Sequence, residues 1–296
     1  MPDHIVVPVD GSEEAERAAR FGLELARLFD ATVDVVHVVE RNALRLTSTA
    51  AETEQLRSRG QAILAAVEEL AAGAGRPVET ALRDGKPAAQ IGAFAAERDA
   101  DLLVVGRQGT TGLGRRLLGG TTEQLLHRSD VPVFVVPGDA TVRVAEWSRL
   151  LVPTDGSERA EAAVRHALPF AQRADATVHV LNVVDLQAAG GVFDAGGLEE
   201  EFVDRLETRG RDAVERVADE IRDATPSLAV ETAVVRTRGF EGVAAGIGEY
   251  VADNGIDLVV MGSHGRSNLR RQLLGSVASS VLRTVEVPVL VVPRGA

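Results

Sequence analysis

The sequence predicts an α/β protein of two tandem domains, each an open five-stranded parallel sheet with helices on both faces. Three observations predict it. Apolar residues make up 45 % of the 296-residue chain and aromatics only 3 %, so Ala, Val and Leu fill the interior, as in sheets buried on both sides. Short apolar runs without alternation recur between segments of helical period, the pattern of strand–helix–strand units. Finally, the chain is written twice. "VVPVDGSEEAERAA" (6–19) returns as "LVPTDGSERAEAAV" (151–164), and "ATVDVVHVV" (31–39) as "ATVHVLNVV" (176–184). "DADLLVVG" (99–106) answers "GIDLVVMG" (255–262), and "DVPVFVVP" (130–137) answers "EVPVLVVP" (286–293). The offset grows from 145 to 156, so 11 extra residues lie between Val184 and Gly262. The Gly-rich "DLQAAGGVFDAGG" (185–197) is the expected place for much of that insertion. The domains are read as 1–137 and 149–296, with 138–148 as linker. Trp147, the one tryptophan, is expected at a domain interface or partly exposed in the linker rather than stacked on a ligand.

The elements follow in order. "HIVVPV" is a central strand, and Ser12 can cap a helix whose apolar positions include Ala18, Phe21, Leu25 and Leu28. "ATVDVVHV" is the next strand. A polar helix over about 54–72, a strand at 78–82 and a helix at 88–97 lead to the strand "DLLVV". A short helix near 122–127 precedes the last strand, "VPVFVV". The second copy runs likewise, with a kink expected at Pro169, which lacks a backbone donor. Right-handed crossovers place ligands beyond the carboxyl ends of the strands, where the strand order reverses.

Bulk numbers exclude several functions. There are no cysteines, so disulfides and thiolate metal sites are out. The net charge of −12 argues against a nucleic-acid binder. No secretory signal and no stretch of about 20 apolar residues is present, so a cytoplasmic protein without membrane contact is expected. Lys86 is the only lysine. That fits a high-salt cytosol, or equally a GC-rich genome that replaces Lys with Arg.

The chemistry-bearing stretch of the second copy is "GSHGRSNLRRQLLGS". Gly262 ends a buried strand, Gly265 follows, and Gly275 with Ser276 opens a helix. Glycines there allow positive φ and close backbone approach to a ligand. Successive amides can form an anion nest, and the helix adds its positive end. Ser276 can cap that helix or bond a phosphate oxygen. The arrangement suits a di- or triphosphate; its plain alternative is turn-making and ordinary capping. Dedicated catalytic machinery is missing: there is no P-loop, no Gly-x-Gly-x-x-Gly after the first strand and no Gly-x-Ser-x-Gly elbow. The Ser263–His264 pair is a poor hydrolase signal, and His37 and His179 read as satisfied structural histidines. No metal site is expected.

Together these residues resemble the universal stress protein family, over nearly the whole chain. Its nucleotide-binding members carry Gly, two residues, Gly, nine residues, then Gly-Ser or Gly-Thr. "VPVDGS", "VPTDGS" and the "VPVLVVP" ending belong to the same likeness. The resemblance implies an adenine nucleotide alpha hydrolase-like, Rossmann-like sheet that binds ATP in many members. AMP or ADP are the alternatives, and Mg2+ or Mn2+ would come only with the nucleotide. By position it implies Asp155 at the ribose and adenine side and Val183 offering backbone bonds to adenine. Gly262, Gly265, Gly275, Ser276 and Val277 would surround the phosphates. Asp155 and its counterpart Asp10 have a capping alternative, but Ser157 stands nearer the helix start and leaves the carboxylate free. The first copy offers Asp10, Val38, Gly106, Gly109 and Gly119. It departs at Gly120, which stands where the family has Ser or Thr; either the hydroxyl is lost or Thr121 or Thr122 replaces it. The second domain is therefore the better nucleotide site. Arg115, Arg116, Arg266, Arg270 and Arg271 either draw phosphates or are solvated charges, and the loop at 190–197 is a lid or a surface insertion.

The reading is a regulatory, adenine-nucleotide-binding stress-response module. A slow ATPase or nucleotide phosphotransferase is one alternative, and a scaffold that binds no nucleotide is another. The last strands are expected to join the two halves as an intramolecular pseudo-dimer, and a homodimer of the chain is plausible.

Overall fold

The structure is a computed structural model that describes residues 1–40, 50–109, 117–138, 143–187, 200–237, 242–265 and 274–293, without the side chains of 158, 159 and 161. The chain divides into two compact units, Met1–Ala145 and Glu146–Ala296. The first contains β1 (His4–Pro8), α1 (Glu13–Phe29), β2 (Thr32–Glu40), α2 (Ala50–Gly73), β3 (Glu79–Gly85), α3 (Pro87–Glu97), β4 (Leu102–Gly106), α4 (Gly120–Arg128) and β5 (Val133–Val136). The second contains β6 (Arg149–Pro153), α5 (Glu158–Ala174), β7 (Thr177–Asp185), α6 (Glu200–Ala224), β8 (Val230–Thr237), α7 (Gly242–Asn254), β9 (Leu258–Gly262), α8 (Ser276–Thr284) and β10 (Val289–Val292).

Within the first unit the strand order is β3-β2-β1-β4-β5, and within the second it is β8-β7-β6-β9-β10. Every neighbouring pair within a unit is parallel. The chain winds outward through β2 and β3, then returns to lay β4 on the other side of β1. The reversal between β1 and β4 opens a crevice at their carboxyl ends, and β6 and β9 repeat it.

Strand sequence explains this placement. All five residues of β4 are buried, as a central strand covered on both faces requires. On α1, Ala18, Phe21 and Leu25 face the sheet as their spacing predicts. Leu28 is half-buried instead, and Phe29 closes that face. The strand predicted at 78–82 runs to Gly85, because β2 continues to Glu40 and pairs with it there. α5 continues through Pro169 to Ala174. Trp147 is 2 % exposed, with its ring 6.2 Å from that of Phe170. It is buried against Phe170 of the second unit and is no exposed linker residue. The loop at 190–197, Arg115, Arg116, Arg266, Arg270 and Arg271 lie outside the described residues.

Candidate functional site

Both crevices begin with one short turn. After β1 the chain reads Asp10-Gly11-Ser12, and Gly11 takes φ 82°, open to glycine at little cost. Asp10 Oδ1 accepts the Ser12 N–H at 3.0 Å, and Ser12 Oγ accepts the Ala15 N–H at 3.1 Å as the cap of α1. The second unit repeats this: Gly156 has φ 75°, Asp155 Oδ1 accepts from Ser157 N at 3.0 Å, and Ser157 Oγ accepts from Ala160 N at 3.4 Å. Each serine does cap its helix. Neither carboxylate is left free, however, because one oxygen is pinned by the turn.

The other oxygen faces the loop after the fourth strand. A Cβ built on Gly109 would stand 2.3 Å from Asp10 Oδ2, and one on Gly265 2.6 Å from Asp155 Oδ2. A side chain at either position must push the aspartate carboxylate aside. Contact and not backbone angle favours glycine at Gly109 and Gly265, and none of Gly106, Gly109, Gly119, Gly262, Gly265 and Gly275 has a positive φ. The expectation of positive φ is corrected at these six glycines.

Next comes the neck of the nine-residue excursion. The Gly119 N–H donates to Arg107 O at 2.9 Å, and the Gly275 N–H to Ser263 O at 2.9 Å. A Cβ on Gly119 would lie 3.3 Å from Gln108 Cα, and one on Gly275 3.1 Å from Ser263 O. Each excursion thus leaves and returns at one point, beside its aspartate. Gly119 and Gly275 are also the N-caps of α4 and α8, and neither helix has a side-chain cap. The first-turn N–H groups at Gly120, Thr121, Ser276 and Val277 consequently present uncapped dipole ends. Ser276 is the first helical residue and exposed, so its hydroxyl faces solvent and does not cap. Of the two replacements considered for it at Gly120, Thr122 is excluded: its buried hydroxyl donates to Gly106 O at 2.9 Å. Thr121 is exposed.

Strand register accounts for Val38 and Val183. The last β1–β2 partners are Pro8 and Val36, after which the Val9 N–H donates to Val36 O at 2.9 Å. Backbone direction alternates along a strand, so the N–H and C=O of Val38 point the same way as those of Val36, now past the end of β1. Thr154 N to Leu181 O, 2.8 Å, sets the same phase for Val183. Both valines offer an open main-chain edge to the crevice.

In the first unit Asp10, Val38, Gly106, Gly109 and Gly119 line one cleft of about 470 Å³, within the range of small-molecule sites. Three features escaped the sequence reading. His37 Nδ1–H donates to Val9 O at 2.7 Å, and Asn182 Nδ2–H to Thr154 O at 2.8 Å, holding the residue before each aspartate. Gly60 and Gly210 let α2 and α6 lie on those side chains: a Cβ would stand 2.7 Å from His37 Cδ2 and 2.6 Å from Asn182 Oδ1. A mid-helix glycine at matching places in both copies was the available signal. Lastly, Glu14 Oε2 accepts the Gln108 N–H at 2.6 Å.

His179 is only half satisfied. Its Nδ1 lies 3.0 Å from Tyr250 Oη, but its buried Nε2 has no hydrogen-bond partner. Burial, assisted by Arg149, pushes its pKa down against the opposing pull of Glu231. Ser263 Oγ and His264 Nδ1 are 3.0 Å apart, yet Ser263 is 4 % exposed and so is no accessible nucleophile. No group of three or more His, Cys, Asp or Glu side chains suited to a metal occurs among the described residues. No helix of the described chain is long and apolar enough to cross a membrane.

Comparison with known proteins returns one family. Its sequence profile, described as the Universal stress protein family, matches residues 1–137 and 146–293. A universal stress protein of Mycolicibacterium smegmatis is 32 % identical over 302 residues, covering 98 % of this chain and 97 % of its own. One of Mycobacterium tuberculosis is 29 % identical over 299 residues, covering 97 % and 96 %. The crystal structure of a universal stress protein from Archaeoglobus fulgidus superposes with a TM-score of 0.74 over the whole of both chains; at 21 % identity it shows the fold alone.

Proposed function

The chain belongs to the universal stress protein family, and from that premise we propose that it is a regulatory module that binds adenine nucleotide in the crevice of each unit, with ATP foremost in the second. Asp155 and the open edge of Val183 take the nucleoside. Gly262, Gly265, Gly275, Ser276 and Val277 take the phosphates. Asp10, Val38, Gly106, Gly109 and Gly119 serve the first unit. One observation carries this reading: the loop glycine lies where a Cβ would strike the aspartate, beside an uncapped helix end, in both units. Bare main chain and free N–H groups at a strand-order reversal suit a phosphate. The second unit is the stronger site, since Ser276 adds a hydroxyl that Gly120 lacks. A divalent ion enters only with the nucleotide. Occupancy alters the surface that a partner reads. The role is binding first, and any hydrolysis is slow, since the sequence shows no dedicated catalytic motif.

Mass analysis of nucleotide released from freshly purified protein tests it. Gly275→Val and Gly119→Val are compatible in backbone angle, with φ −58° and −65°, but force the neck apart. Gly275→Val is expected to remove most of the nucleotide and Gly119→Val the smaller share. Wild-type nucleotide content in both variants overturns the assignment.

A further inference from the structure

Glu14 has no part in the site as described so far, yet it acts on it. It is the second residue of α1, and its carboxylate takes the Gln108 N–H at 2.6 Å. Gln108 lines the first-unit cleft. One loop amide that could turn toward an anion is thus already committed to an internal one, and a full negative charge stands directly behind the loop. The matching helix position in the second unit, by the repeat of "DGSEE" as "DGSER", is Arg159. The sign of the residue at this position is reversed between the two copies.

The rest of the cleft does not fully compensate. Among its described lining residues the charged ones are Asp10, Glu40 and Arg59, whose counterparts by sequence, Asp155, Asp185 and Arg209, have the same signs. The excursion itself has Arg115 and Arg116 in the first unit against Arg266, Arg270 and Arg271 in the second. Arg107, buried beside Gln108 where the second unit has Ser263, offsets one of these charges, and the sum still leaves the first site the more negative. Coulomb repulsion grows with every phosphate charge and vanishes for an uncharged ligand.

Resting on the nucleotide-binding reading above, we propose that Glu14 is a specificity-determining residue that makes the first unit select adenine ligands of low negative charge. Adenosine or its monophosphate is accepted there and ATP is turned away, while the second unit takes ATP. The two units then report different ligands of one pool: the second the charged nucleotide, the first its dephosphorylated product.

Calorimetric titration of the full chain tests this. In the Gly275→Val background, which leaves the first site in use, adenosine and AMP are expected to bind about tenfold or more tightly than ATP. Adding Glu14→Gln keeps an acceptor for the Gln108 N–H and removes the charge. It is expected to raise ATP affinity about tenfold and leave adenosine affinity unchanged. In the Gly119→Val background, Arg159→Glu is expected to weaken ATP at the second site by a similar factor and spare adenosine. An equal change for adenosine and ATP marks a merely structural role and overturns the inference, as does ATP affinity unmoved by Glu14→Gln. Failure of the wild-type chain to bind any adenine ligand overturns the underlying reading as well.

Discussion

Arg57 on α2 pairs with Asp84 on β3 in the first unit; Glu207 on α6 pairs with Arg236 on β8 in the second. The contact is the same and the polarity is reversed. A second exchange lies on β2 and β7. Asp34 is bound by His4 at 2.8 Å and lies 3.4 Å from Arg98, whereas His179 in its place meets Tyr250 and Glu231. The apposition of Gly109 with Asp10, by contrast, recurs unchanged as Gly265 with Asp155. An ion pair needs only opposite signs, so duplicated copies can exchange its members. A contact that a Cβ enters only by displacing the aspartate has fewer alternatives. The parts of the two units that match most closely are thus the main-chain seat of the proposed site, and the parts that differ are charges around it.

Beyond the charge difference at Glu14 and Arg159, the widest gap between the units is expected at Gly120 and Ser276. Ser276→Gly should remove about one hydrogen bond to phosphate, roughly 0.5–1.5 kcal/mol, which is about two- to tenfold in ATP affinity. Gly120→Ser should gain a similar factor at the first site. Titration with ATP reads both, and a Ser276→Gly variant that binds as wild type does removes the hydroxyl from the comparison. A smaller effect is expected from the exchanged ion pair. Glu207→Arg places two like charges together and should lower the melting temperature by a few degrees. Adding Arg236→Asp recreates the polarity of the first unit and should recover most of that loss. The remainder is the contact from Arg211 to Glu207, 3.0 Å in the native chain, worth a few tenths of a kcal/mol. A double variant no more stable than Glu207→Arg would mean that the pair is not interchangeable.

Much of this was legible in the sequence, because a duplicated chain prints each signal twice. The strands could be read from apolar runs such as "LVVMG", and the loop glycines from their order after a buried strand. The reason for those glycines was not legible. A sequence reports that only glycine is accepted, not whether backbone angle or a neighbour excludes the rest, and here Asp10 and Asp155 are that neighbour. The anchoring of Val9 by His37 and the capture of the Gln108 N–H by Glu14 join residues far apart in the chain. Such contacts follow from strand order and register, which periodicity does not encode. The reversed ion pair was printed in plain view as "RSRG" against "ETRG", yet it has meaning only once β3 and β8 are known to lie alongside.

The smallest expected difference is a pH effect confined to the second unit, where a histidine replaces the aspartate of β2. His179 is 3 % exposed, and burial holds its pKa below the ordinary value of 6.5. Arg149 on β6 pushes the same way, and Glu231 on β8 opposes. Tyr250 on α7 meets the ring through its hydroxyl. In the folded chain the imidazole stays neutral at a pH where the unfolded chain has begun to bind a proton. The unfolded state therefore binds more protons, and stability rises with pH across that window. The contribution is complete above the unfolded value and is lost as pH falls from about 6.5 toward the lower folded value. His179→Gln keeps a polar partner for Tyr250 and removes the titration. Between about pH 7.5 and about pH 5.5 the wild-type melting temperature should fall by about a degree more than that of the variant. Parallel pH profiles for the two proteins would show that this histidine, although buried, is relieved by its neighbours, and would make the two units equivalent in their response to acid.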